Sequence, residues 1–196
     1  MRKIILLAAA AAGTVMVPTI AQAQRLPGAV IAVVNTNRVY SECTACRSAQ
    51  TQLQTQRTAL QTRQQTLAGQ LRPEAESLQA AIQALGGKQP DAALRTRIQA
   101  FQQRENQANQ ELAQAQQRLQ STQANVLRQI NERLNPIINQ VMTARGALVA
   151  LDVEATLAHS QSIDVTNDVL ARLNQQLPAV SVTPLPQQQQ QQPQGR

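Results

Sequence analysis

The sequence has no tryptophan, one tyrosine (Tyr40), one phenylalanine (Phe101), one histidine (His159) and two cysteines (Cys43 and Cys46). Each scarcity removes a class of protein. Aromatic side chains supply much of the burial in a rounded core, so a chain this poor in them and this rich in Gln, Ala and Leu is expected to be elongated. Zinc sites take about four Cys, His or carboxylate ligands, which one histidine and a single Cys pair do not provide. No Gly-x-x-x-x-Gly-Lys-Ser/Thr run is present, so the loop that cradles nucleotide phosphates is missing. No metal, cofactor or nucleotide is expected. Long apolar runs are absent after the first, Ile4 to Val17, which is itself short of the roughly 20 residues that cross a bilayer as a helix.

That first run follows Arg2 and Lys3 and precedes Ala21-Gln22-Ala23, a small-x-small pattern. The arrangement predicts a secretory signal peptide over 1–23, cleaved after Ala23, and hence a periplasmic protein. No cysteine sits just after the cleavage point, so a lipid anchor at the signal peptide is not expected. The remaining chain holds 16 basic and 11 acidic residues, and Lys88 is its only lysine. A positive exported protein can meet anionic lipid, nucleic acid or acidic polypeptide. Aromatic stacking residues and dense basic clusters are missing, so no nucleic-acid partner is expected, while peripheral contact with anionic membrane lipid stays open.

After Pro27-Gly28, Ala29 to Val34 is a continuous, mostly β-branched run bounded by Asn-Thr-Asn. It reads as a strand buried on both faces, and Asn37 to Glu42 suits a short helix or turn. From Arg47 the apolar period changes. Leu53, Leu60 and Leu67 recur every seven residues, and Leu71, Leu78 and Leu85 continue after a step of four, with Arg57, Gln64 and Glu74 interrupting. Gly86-Gly87 supplies a helix stop and Pro90-Asp91 a restart. The second run is cleaner: Leu94, Ile98, Phe101, Glu105, Ala108, Leu112, Ala115, Leu119, Thr122 and Val126 alternate steps of four and three, a coiled-coil seam. Ile130, Leu134 and Ile138 follow at steps of four, a phase change that rotates the seam. Two long helices around a Gly-Gly turn predict an antiparallel hairpin with arms of about 60 Å.

Pro136 falls where the second helix should bend or restart. "ALVALDV", residues 147–153, reads as a second strand and "TLAHSQ", residues 156–161, as a third, weaker one. Asp164 or Thr166 then caps a short helix carrying Val165, Val169, Leu170, Leu173 and Leu177. Beyond Pro178 the chain is Pro- and Gln-rich, with six consecutive Gln at 187–192, too polar to order itself.

The order predicts a mainly α chain with a small β body (α+β). Its divisions are the signal peptide 1–23, a body strand and short helix 24–46, and a hairpin arm 47–135 with its turn near 86–91. The rest of the body at 136–177 and a disordered tail at 178–196 complete the chain. Three short strands need more cover than this chain supplies, so oligomerisation is expected. Val30, Ile31, Val33, Val34, Leu148, Val149, Leu151 and Val153 are the candidate body and oligomer core.

Between Arg47 and Arg133 stand eleven basic and six acidic residues, so the arm carries the net charge of the exported chain. Any single arginine there is read as solvated helix surface. Together, Arg57, Arg63, Arg72, Arg95, Arg97, Arg104 and Arg118 are the candidate charges for drawing in an acidic unfolded polypeptide over a Debye length of about 8–10 Å.

Cys43-x-x-Cys46 admits several readings. A thiol–disulfide active site needs a low-pKa thiolate at a helix N-terminus on a βαβ scaffold. A strand precedes and a helix follows, but the next strand comes only at 147. A local disulfide in an oxidising compartment is the plainer reading, since residues three apart on a helix have Cα atoms about 5 Å apart, within bonding range. An intermolecular bridge or free thiols stay open. His159 has no nucleophile beside it and is read as structural. Asp152 and Glu154, alternate residues on one strand face, are read as turn or inter-chain contacts rather than an acid–base pair.

With "IAVVNTNRVYSE" at 31–42 and "NPIINQVMTARGALVALDVEATLAHSQSIDVTNDVLARL" at 135–173, the chain resembles the Skp/OmpH family of periplasmic chaperones over roughly residues 29 to 177. The resemblance implies a jellyfish-like homotrimer whose body is built from the strands of three chains. Three arms would enclose a cavity that holds unfolded outer-membrane proteins without ATP, with no catalytic residue and no cofactor. Cys46 and Arg47 stand where relatives favour glycine and lysine. Two other readings remain beside it: a structural coiled-coil interaction protein of the cell envelope, and a thiol–disulfide oxidoreductase centred on the Cys pair.

Overall fold

The computed structural model describes residues 28–185; the expected signal peptide with its cleavage point, and tail residues 186–196, lie outside the described residues. The elements in order are β1 (Ile31–Val34), α1 (Thr36–Glu42), α2 (Thr44–Ala84), α3 (Ala92–Arg145), β2 (Val149–Asp152) and α4 (Thr166–Gln176). Short 3-10 turns occupy Val153–Ala155 and Gln161–Ile163. The chain is mainly helical, with one small sheet.

The arm forms where the apolar period requires it. α2 has 41 residues and α3 has 54. Between them Gly86 and Gly87 take φ of 56° and 88°, the left-handed region that only glycine enters without strain. Asp91 restarts the helix, its carboxylate accepting the Leu94 N–H at 2.8 Å. Along the seam Leu67, Leu78 and Ala108 are buried, and Leu53, Leu60, Leu71, Leu94, Ile98, Phe101 and Leu112 are half-covered. Glu105, on the same seam, is exposed. Two helices alone cannot close over a seam one residue wide, so most of the outer arm stays wet.

Pro136 does not interrupt α3, which runs unbroken to Arg145 and ends at Gly146 with φ 64°. The helix holds because Leu134 and Ile137, on either side of the proline, are both anchored in the core. The fully buried residue of this turn is Ile137 rather than Ile138, so the inward line runs Ile130, Leu134, Ile137, Val141 and drifts less than steps of four imply.

β1 and β2 pair in parallel, with Ile31 opposite Val149, Ala32 opposite Ala150, Val33 opposite Leu151 and Val34 opposite Asp152. Parallel neighbours need a long crossover, and here the whole arm is that crossover. No third strand forms at 156–161; the sheet gains only an isolated bridge from Val33 to Asp164, with the Val165 N–H donating to the Val33 carbonyl at 2.9 Å. Leu157 in that stretch is fully exposed, so nothing rewards the extended pairing that the sequence pattern suggests. Beneath the sheet, Ala32, Val34, Val39, Ile137, Val141, Val169 and Leu173 form one buried cluster with the lower ends of α2 and α3. α4 closes it, its N-terminus held by Thr166, whose N–H donates to the Asp164 carboxylate at 2.8 Å and whose hydroxyl accepts the Asn35 N–H at 2.9 Å.

The segment 178–185 also departs from the sequence reading. It is not part of a free tail: Val180 is buried and Val182 packs against the core cluster.

Candidate functional site

Three features of the structure bear on function: the arm–body junction, the open face of the sheet, and the arm itself. At the junction, α1 ends and α2 begins at one residue, Cys43. Its sulfur is bonded to that of Cys46, with the Cα atoms 5.0 Å apart, and it accepts the Cys46 N–H at 3.2 Å. Asn174 of α4 accepts the Thr44 N–H at 2.9 Å, satisfying another open donor of the new helix. Cys43 and Cys46 are 0 % and 2 % exposed. Exchange requires a thiolate to reach a disulfide sulfur, and the body covers both. On one side an open cleft of roughly 220 Å³ is lined by Tyr40, Cys46, Leu53, Arg57, Val126 and Leu127, among others. The Tyr40 hydroxyl donates to Asn131 of α3; burial raises its phenol above the ordinary value despite that bond.

Asp152 ends β2 and ties it to the start of α1. Its carboxylate accepts the Thr36 hydroxyl, the Thr36 N–H at 3.3 Å and the Glu154 N–H at 2.9 Å. Burial alone would push this carboxyl up, but those donors together hold it below the usual range. Glu154 is not a strand neighbour, because the strand ends at Asp152 and Glu154 lies in a 3-10 turn where it accepts from Asn37. The two carboxylates are structural. His159 stands 3.6 Å from the Asp164 carboxylate. Burial would raise Asp164 as well; Thr166 and then His159 bring it below its ordinary value.

The sheet's outer face is the second feature. Strand alternation and the parallel register put Ile31, Val33, Val149 and Leu151 on one side. Val33 is buried, whereas Val30, Ile31, Leu148, Val149 and Leu151 are 37–60 % exposed. The eight sequence-selected body residues thus divide: Val33 and Val34 are buried within the chain, Val153 is half-covered, and the other five are open.

The arm is the third. Arg63 makes a two-pronged bond to Glu111 across the hairpin at 2.5 and 2.9 Å, which raises the guanidinium and lowers the carboxyl. Arg104 reaches Glu74 at 2.6 Å, Arg97 donates to Ser77 at 3.1 Å, and Arg72 pairs with Glu76 one turn along. Arg57 lines the cleft beside Tyr40. Arg95 and Arg118 lie exposed on α3. The seven arginines are therefore not brought together: Arg63, Arg97 and Arg104 bind the two helices to each other. Among the described residues no group of His, Cys, Asp or Glu can hold a metal ion, and no helix is long and apolar enough to cross a membrane.

Residues 178–185 supply an arrangement that composition hid. They run against α2 and α3 with a bend at Thr183, bonded through their backbone to Gln56, Ser121, Asn125 and Gln129. The signal available beforehand was the alternation Val180-x-Val182, a strand period inside a stretch dominated by Pro and Gln.

A long hairpin inserted between two parallel strands, closed by a short helix, is the arrangement that decides the family. The family model described as outer membrane protein (OmpH-like) matches residues 30–173. The chain belongs to the OmpH-like family. Among solved structures, a crystal structure from Caulobacter crescentus CB15, described as a candidate outer membrane chaperone (OmpH-like), superposes with a TM-score of 0.66 at 21% identity. The match covers 84% of this chain and 94% of that one. No curated protein matches. The match to the family model ends at residue 173, before the packed segment 178–185.

Proposed function

We propose that the chain is an ATP-independent periplasmic chaperone that holds unfolded outer-membrane proteins between helical arms and keeps them from aggregating. The observation that carries this reading is the arm. At about 1.5 Å per residue it projects about 60 Å from a body that contains nearly all the buried core, and its surface is amide and arginine rather than apolar. Such a surface grips a client through many weak contacts whose sum is strong. It also leaves the client free to fold when released.

The open apolar face around Ile31, Val149 and Leu151 supports a homotrimer. Three copies turning these residues inward would remove them from water and set three arms around one cavity. No step of this function breaks a covalent bond, so no enzyme activity is assigned. The oxidoreductase reading loses ground because both sulfurs are covered by the body. An envelope spacer remains the rival, and it differs in needing a folded partner. Contact with anionic lipid would draw on exposed arm arginines such as Arg95 and Arg118.

Multi-angle light scattering of the exported chain, alone and mixed with a urea-denatured outer-membrane β-barrel, tests the reading. A three-chain mass that gains one barrel supports it. A monomer that passes the barrel by, or a trimer that binds only folded partners, overturns it.

A further inference from the structure

We propose that the groove between α2 and α3 at the base of the arm is a binding site for extended polypeptide, and that residues 178–185 are its built-in occupant. The identity of the chain that would displace this occupant rests on the chaperone reading; the groove itself does not.

Five hydrogen bonds join the groove's side chains to the backbone of the segment. Gln129 donates its carboxamide to the Ser181 carbonyl and accepts the Ser181 N–H, both at 3.0 Å. These are the two bonds a neighbouring β-strand would make. Gln56, from the opposite helix, donates to the Val182 carbonyl at 3.1 Å. Asn125, itself 6 % exposed, donates to the Thr183 carbonyl at 3.0 Å. The Leu185 N–H donates to the Ser121 hydroxyl at 2.9 Å. Backbone groups are common to all polypeptides, so recognition through them tolerates many sequences, as in strand addition to a sheet edge.

The spacing is that of a repeating ladder. Gln129, Asn125 and Ser121 stand one helical turn apart, and the segment passes them at Ser181, Thr183 and Leu185. The four-residue step from Ser181 to Leu185, with its bend at Thr183, keeps pace with the roughly 12 Å covered by eight helical residues. Gln117 stands one further turn out on the same line. On the strand's own side, Val180 and Val182 alternate toward the core while Ser181 and Thr183 face out and bond each other at 2.9 Å. This is the binary pattern of a transmembrane β-strand in miniature. The occupant is tethered at Leu177 and so competes at high effective concentration. An incoming chain displaces it by being longer and reaching more of the ladder.

The test uses a fluorescent peptide with the sequence of residues 178–185, Pro-Ala-Val-Ser-Val-Thr-Pro-Leu. It is titrated into the full exported chain, the chain ending at Leu177, and a full-length Ser181→Pro, Leu185→Pro variant. The double variant removes two backbone donors but keeps Val180 and Val182, so it separates release of the segment from loss of core. If the segment fills its groove nine-tenths of the time, the full chain binds the peptide about tenfold more weakly than either altered form. Adding Gln129→Ala to the shortened chain abolishes the binding, and urea-denatured barrel displaces the peptide. Absence of saturable peptide binding to both altered forms, with their helical circular dichroism intact, overturns the proposal. Barrel that binds without displacing peptide overturns the groove's role in capture. Barrel that binds none of the three forms while the peptide does bind overturns the chaperone reading and leaves the groove standing.

Discussion

Asp152 shows how single residues fasten this fold. It lies at the end of a four-residue strand, yet it joins β2 to α1 across 116 residues of chain and accepts three donors. Asp152→Asn keeps the shape and loses the charge, and is expected to cost about 1 kcal/mol at neutral pH. The sign of its pH dependence follows from its lowered carboxyl. The folded state releases this proton more readily than the unfolded state, whose carboxyl titrates near 4. The stabilisation is therefore complete above that value and is lost as pH falls through the lower folded value. Urea unfolding at pH 7 and near pH 3 is expected to show a wild-type advantage over Asp152→Asn at the first and a smaller one at the second. Cys43 and Cys46 act more locally. A bridge that closes four residues restricts the unfolded chain by about 2 kcal/mol, so a Cys43→Ser, Cys46→Ser chain is expected to melt lower with its arm helicity unchanged. Insulin reduction by the parent chain should be absent.

The arm was legible as an element because its period is long and uninterrupted; a run from Leu94 to Val126 without a slip leaves no other helix face to bury. Its ends were legible too, since Gly86-Gly87 and Asp91 are needed for stereochemical reasons that no packing replaces. Glycines within the arm differ in kind. Gly69 sits inside α2 with open space where a Cβ would go, so Gly69→Ala is expected to stabilise by about 0.8–1 kcal/mol. Gly146 ends α3 at φ 64°, so Gly146→Ala is expected to destabilise by about 1 kcal/mol; thermal unfolding of the two variants reads both signs. Pro136, the missing third strand and the 178–185 segment were not legible, and the reason is shared. In each, tertiary surroundings override local preference: Leu134 and Ile137 carry the helix past the proline. Asp164, just after the turn at Gln161–Ile163, supplies an isolated bridge to Val33 where a third strand was expected at 156–161. The amide ladder on α3 orders a segment whose composition favours disorder.

At the scale of the whole molecule, the single chain buries its core on one side of a two-stranded sheet and leaves the other side apolar. The candidate body residues could be named from β-branching alone, but which of them the chain leaves open depended on the parallel register. If that face is the contact between copies, a Val149→Glu, Leu151→Glu variant is expected to sediment as a monomer with near-normal helical content, and to lose client capture along with the cavity. The arms would survive as helices but no longer surround anything. The central claim, that the arms hold an unfolded chain without consuming energy, is tested most directly by turbidity. A urea-denatured outer-membrane β-barrel is diluted into buffer without nucleotide, with and without the exported protein. The account predicts that one trimer per barrel keeps the solution clear; turbidity that rises at the same rate and to the same height in both would contradict it.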